Sequence, residues 1–132
     1  MEEFKLLGPY LGSGGHRIVF NHKTNPNWVV KIAKDNLNHN NAEYKTWLAA
    51  KEINEDEWLV PCVKVLDGGK YLIQELGDDI LETEIPKNIP SWLKYDYNIA
   101  RQWKLHNGKI KKCDYDHNEI NALYEHIKQK KG

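Results

Sequence analysis

Apolar positions in the first third of the chain fall in short runs and alternations, the pattern of strands. Phe4, Leu6, Leu7, Tyr10 and Leu11 mark an extended segment, interrupted by Gly8-Pro9 and stopped by Gly12, Gly14 and Gly15. Ile18, Val19 and Phe20 form a second short strand, and the polar stretch 22–27, with Pro26, is a turn. A third strand over 28–33 is apolar around a single Lys31. The period then changes. Tyr44, Trp47 and Leu48 stand at i, i+3, i+4, which predicts a helix over about 42–53, with Asn38 to Asn41 offering caps and the acidic stretch 54–57 ending it. Two apolar runs, 63–66 and 71–75, flank Asp67-Gly68-Gly69-Lys70 and predict a hairpin. Residues 77–90 are acidic, carry Pro86 and Pro90, and read as a linker. Residues 91–97 fit a helical turn or two. Asn107-Gly108, between 103–105 and 110–113, predicts a second hairpin. Ile120, Leu123, Tyr124 and Ile127 predict a closing helix, with Asp116 and Glu119 spaced as a capping box and a basic end over 128–131.

At 132 residues the chain has room for one core, and its 40% hydrophobic and 29% charged residues are those of an ordinary globular protein. Lys plus Arg and Asp plus Glu both number 19, so the balance carries no basic excess of the kind nucleic-acid binders show. Five Trp and seven Tyr are many for this length; most are expected in the core, some on a partner surface. Cys62 and Cys113 make no disulfide framework and no zinc-type spacing. No apolar run approaches the ~20 residues that span a bilayer, and the start lacks the apolar core of a signal peptide. The expectation is a cytoplasmic protein with free thiols and neither nucleic-acid nor membrane partners.

The residues that carry chemistry begin at the glycine hairpin. Gly12, Ser13, Gly14 and Gly15 lie between two strands, where missing Cβ atoms let backbone N–H groups approach phosphate oxygens. Lys31 in an apolar strand needs an anion, because an unpaired buried ammonium is costly. Glu43, in the helix that follows, is placed to supply it. The plain alternatives are a tight turn, a structural Lys31–Glu43 salt bridge, and loop or capping roles for Asp96 and Asp114. Six scattered histidines show no metal-ligand spacing.

Gly12, Gly14, Val19, Lys31 and Glu43 together resemble the protein kinases, whose signature is G-x-G-x-x-G-x-V, a lysine on the third strand and a helix glutamate paired with it. Arg17 replaces the third glycine, where it either contacts phosphate or blocks closure of the loop. Asp114-Tyr115-Asp116 resembles D-F-G, with Asp116 in place of its glycine. Asp96 precedes Asp114 by 18 residues and resembles the catalytic base, although Lys94-Tyr95-Asp96 replaces H-R-D and Arg101 stands where a metal-binding Asn is expected. The whole chain resembles the very short kinase-like proteins of bacteriophages. The resemblance implies an α+β fold: a kinase-like small lobe over 1–76, with an antiparallel sheet and one helix, then a strongly reduced C-terminal segment over 77–132.

It also implies a site. ATP would lie under Gly12, Ser13, Gly14, Gly15, Arg17 and Val19, its adenine on the backbone around Glu75. Lys31, held by Glu43, would grip phosphates, Asp114 would bind Mg²⁺, and Asp96 would orient a Ser or Thr hydroxyl of a protein substrate. Three readings stay open: an active phosphotransferase, a pseudokinase-type module that engages a host or cellular protein, and an unrelated α+β domain whose hairpin mimics the loop.

Overall fold

The computed structural model describes residues 6–94, 98–115 and 117–131. Among them the order is β1 (Leu7–Ser13), β2 (Arg17–His22), β3 (Trp28–Ala33), α1 (Asn38–Glu52), β4 (Cys62–Leu66), β5 (Tyr71–Glu75), β6 (Trp103–His106), β7 (Lys109–Lys112) and α2 (His117–Lys131). Strands β1 to β5 form one antiparallel sheet in the order β1-β2-β3-β5-β4, and β6 and β7 form a separate hairpin. The protein is therefore α+β with a five-stranded antiparallel sheet.

Strand β1 runs on through Gly8-Pro9 and Gly12, where the sequence predicts interruptions. The register slips between Leu7 and Tyr10 and again between Tyr10 and Gly12. An edge strand absorbs such slips, because Pro9 there forfeits no interior ladder bond. Asn107 and Gly108 both have positive φ, 50° and 79°, as the two-residue hairpin between β6 and β7 requires.

Helix α1 begins four residues before its predicted start of about 42. Asn38 to Asn41 form its first turn instead of capping it, and the cap residue Leu37 offers no side-chain bond. Asn40 is fully buried, and its amide donates to the carbonyls of Lys31, Gly69 and Lys70, tying the helix to the sheet. Gly69 serves the same junction: a Cβ there would lie 2.5 Å from the Asn41 amide nitrogen. The buried face of α1 is Asn40, Ala42, Glu43, Thr46, Trp47 and Ala50. Leu48, expected inside, is 47% exposed. Polar residues take the inner positions, so an apolar count misplaces the face.

The main core joins α1, the sheet and the C-terminal segment through Trp47, Leu59, Leu72, Trp92, Trp103, Tyr115 and Leu123. It therefore crosses the boundary expected near residue 76. Three of the five tryptophans are buried in it. A smaller cluster of Leu6, Val30, Tyr71 and Ile73 covers the opposite sheet face. Residues 77–90 hold one short turn, Glu82–Glu84, and residues 91–97 give one turn, Ser91–Leu93, within the described part. Lys112 and Glu119, both buried, pair at 2.9 Å and hold α2 to β7. Asp116, the other half of the expected capping box, lies outside the described residues. No described helix is long and apolar enough to cross a membrane.

Candidate functional site

The side chains of a strand alternate between faces, so the pairing Val19↔Lys31 and Arg17↔Ala33 puts Arg17, Val19 and Lys31 on one face, under α1. Glu43 descends from α1 onto that face. Lys31 Nζ donates to Glu43 Oε2 at 2.8 Å. Arg17 brings both ends of its guanidinium to the same carboxylate, at 2.9 and 3.2 Å. The backbone N–H of Tyr115 donates to Glu43 Oε1 at 2.8 Å. Glu43, fully buried, is thus held by two cations and a main-chain donor. Such saturation is what makes a buried carboxylate tolerable.

The same cations reach the segment after β7. Arg17 Nη2 donates to Asp114 Oδ1 at 2.5 Å, and Lys31 Nζ donates to the Cys113 carbonyl oxygen. Strand β7 ends at Lys112, so Asp114 and Tyr115 follow it in irregular backbone. Tyr115 anchors this segment: its hydroxyl donates to the Val60 carbonyl at 2.6 Å and lies 3.3 Å from Cys62 Sγ. The Asp114 side chain is 44% exposed, whereas those of Arg17, Lys31 and Glu43 are below 10%. Asp114 is the member of the group that opens to solvent.

Burial pushes the Asp114 carboxyl up, but Arg17, Lys31, Lys112 and Arg101 outweigh it and hold the group below the usual aspartate range. It is a carboxylate at neutral pH. Burial pushes the Cys62 thiol up to about 12, with the Glu43 charge adding to it. Burial also raises the Tyr115 phenol well above its ordinary value and raises the Cys113 thiol. None of these three is a nucleophile at neutral pH.

The hairpin above this group is open. A Cβ at Gly12, Gly14 or Gly15 would meet nothing within 4 Å, and none of the three has positive φ. Neither a tight turn nor close packing among the described residues demands them. The loop is held down by Lys34, whose Nζ donates to the Gly14 carbonyl at 2.7 Å, and by His16 stacked on His39 of α1 at 4.0 Å. Ser13, exposed at the end of β1, accepts from the Tyr10 hydroxyl at 3.3 Å.

Glu75 stands apart from this group. Trp28↔Glu75 and Lys31↔Leu72 are paired, so the Glu75 side chain points from the opposite sheet face. It meets His106 Nε2 at 2.7 Å, and Lys111 Nζ lies 3.0 Å from His106 Nδ1. An ammonium only donates, so Nδ1 accepts and Nε2–H donates to Glu75. The Glu75 N–H is taken by the Pro61 carbonyl and the Leu76 N–H by that of Asn27. Neither amide is open to an adenine. Asp96 lies outside the described residues. Arg101 sits in the turn Ala100–Gln102, close enough for its charge to act on Asp114.

The structure therefore brings together Arg17, Val19, Lys31, Glu43 and Asp114, with Gly12, Ser13, Gly14 and Gly15 in the hairpin above, and puts the Glu75 side chain on another face. The inward direction of Arg17 had a signal in the sequence: it shares strand parity with Val19. Tyr115's grip on Glu43 and the Lys112 field had none. No protein-family model matches the chain, and no curated protein is significantly similar to it.

The resemblance assigns Mg²⁺ to Asp114, and the donor set does not fit it in this arrangement. Magnesium asks for several oxygen ligands in near-octahedral order. Here Oδ1 of the one described carboxylate that faces outward is taken by a guanidinium, and four cationic side chains act on it.

Proposed function

We propose that the protein is a reduced protein-kinase-like, nucleotide-binding protein, with ATP under the hairpin of Gly12 to Gly15 and its phosphates facing Arg17 and Lys31. One observation carries this reading. Lys31 is fixed by Glu43 and also touches the backbone beside Asp114, so a strand lysine, a helix glutamate and a distant aspartate meet at one point. The hairpin glycines support it, since they keep space that no described residue fills. In this site Glu43 orients Lys31, Lys31 and Arg17 bind phosphate oxygens, and Tyr115 fixes the segment that carries Asp114. The adenine meets backbone carbonyl groups near Glu75, not its side chain.

In its active form the protein moves the γ-phosphoryl group of ATP to a Ser or Thr hydroxyl of a protein, releasing ADP, with Asp96 taking the hydroxyl proton. A second reading is favoured by the Arg17–Asp114 pair and by Arg101 in place of an asparagine: a pseudokinase-type module that engages a host or cellular protein without catalysis. Incubation with labelled ATP and mixed protein acceptors separates them. Label transfer that disappears in Lys31→Ala and Asp114→Asn supports the enzyme. Saturable ATP binding with no transfer to any acceptor supports the module.

A further inference from the structure

The nucleotide reading sets Arg17 against the phosphates, and its geometry is specific. The guanidinium is backed by both oxygens of Glu43 and reaches forward to Asp114 Oδ1. Its side chain is 8% exposed, and Asn40 Oδ1 lies 3.3 Å from Nη1. An arginine keeps its charge at any accessible pH and presents a planar fork suited to carboxylate and phosphate alike. A divalent ion approaching Asp114 must displace that fork and face the charges of Lys31, Lys112 and Arg101 as well. A polyphosphate approaching the same point meets Arg17 and Arg101 as attraction, Lys31 and Lys112 being paired already with Glu43 and Glu119.

We infer that Arg17 takes the place of the divalent cation in this site, so that a nucleoside di- or triphosphate binds through protein cations without a metal. This rests on the nucleotide reading above. Arg17 acts on Asp114 and the phosphates through its charge, as a metal ion would. Its Nη donors are engaged by Glu43, Asn40 and Asp114, so a phosphate oxygen gains one by displacing Asn40 or Asp114 while Glu43 holds the guanidinium from behind. Lys31, on the same face, supplies the second cation. Divalent ions then compete with Arg17 for Asp114 instead of completing the site.

Calorimetric titration of ATP onto the wild-type protein, in EDTA and in excess Mg²⁺, tests this, with Arg17→Gln run in parallel. The wild type is expected to bind in EDTA within about threefold of its affinity in Mg²⁺, or more tightly. Arg17→Gln is expected to lose about tenfold or more in EDTA and less in Mg²⁺, because Asp114 is then open to the ion. Wild-type binding that appears only with Mg²⁺ overturns the role of Arg17 and leaves the nucleotide site standing. Equal affinity of wild type and Arg17→Gln in EDTA also overturns it. No binding in either buffer sinks the nucleotide reading itself, and this inference with it. If Arg17→Gln fails to fold by near-ultraviolet circular dichroism, the two wild-type titrations decide alone. Arg17→Lys then adds a check: it keeps the charge without the fork, and its affinity in EDTA should fall between the other two.

Discussion

Arg17 and Asp114, 97 residues apart in the chain, meet at 2.5 Å, and the same guanidinium grips Glu43. One side chain therefore links the glycine hairpin, the sheet-covering helix and the segment after β7. Much of what the site does depends on how firmly that link holds.

Glu43 is the hub, because it takes Arg17, Lys31 and the Tyr115 amide at once. Glu43→Ala removes the carboxylate that two buried cations share, leaving Arg17 to Asp114 and Lys31 to the Cys113 carbonyl, and should cost about 3–5 kcal/mol, as breaking a buried ion pair does. Urea unfolding would show this as a lower midpoint at unchanged slope. A loss under about 1 kcal/mol would mean that the cations find other anions.

The hairpin glycines separate stability from binding. Gly14→Ala adds a methyl that meets nothing within 4 Å, at a position without positive φ. Its stability to urea should stay close to the wild type, within about 0.5 kcal/mol, the range of surface substitutions. ATP affinity should nonetheless fall, because the methyl enters the space assigned to phosphate. A destabilised Gly14→Ala protein, or unchanged affinity, would return the glycines to a structural role.

Lys112 and Glu119 form a second buried pair, between β7 and α2. Lys112→Met alone removes the cation of this buried pair and should cost about 3–5 kcal/mol. The double variant Lys112→Met with Glu119→Leu should recover most of that loss, because an apolar pair of similar volume carries no desolvation cost. Additive losses in the double-variant cycle would show that the two side chains do not act together.

Glu55 predicts the acid limb of stability. Burial pushes its carboxyl up, but hydrogen bonds from Lys130, His126 and Trp92 outweigh this and hold it at about 2, against an ordinary 4.5. A depressed folded value means the contribution is fully present above the unfolded value and is lost as pH falls from about 4.5 toward about 2. Its size should be about 1–3 kcal/mol, discounted for partial exposure. Urea midpoints at pH 5 and pH 2.5, compared between wild type and Glu55→Gln, measure it. The variant should show a shallower acid slope. Asp114, also depressed, adds to the slope in both proteins. Identical slopes would remove Glu55 from the account.

Much of the sheet was legible because strand signals are local. The runs around Ile18, Val30 and Ile73 and the turns at Asp67-Gly68 and Asn107-Gly108 specify their own pairing. The Lys31–Glu43 pair was legible for the same reason, one strand and one helix apart. The buried face of α1 was not. Asn40, Glu43 and Thr46 lie inside because distant carbonyls, cations and the helix backbone satisfy them, and a hydrophobic period gives such residues no weight. The Lys112–Glu119 pair joins elements whose docking depends on the whole core. Arg17 stood between two possibilities in the sequence, phosphate contact and loop blockage. The structure adds its partners, Glu43 and Asp114.

The most direct test of the proposed nucleotide site is a thermal-shift titration with ATP on the wild type and on Lys31→Met, each against its own ligand-free baseline. Ligand that binds the native state raises the melting temperature by mass action. The account predicts a saturable rise for the wild type at millimolar ATP and none for Lys31→Met. No rise in the wild type, or an equal rise in both, would contradict it.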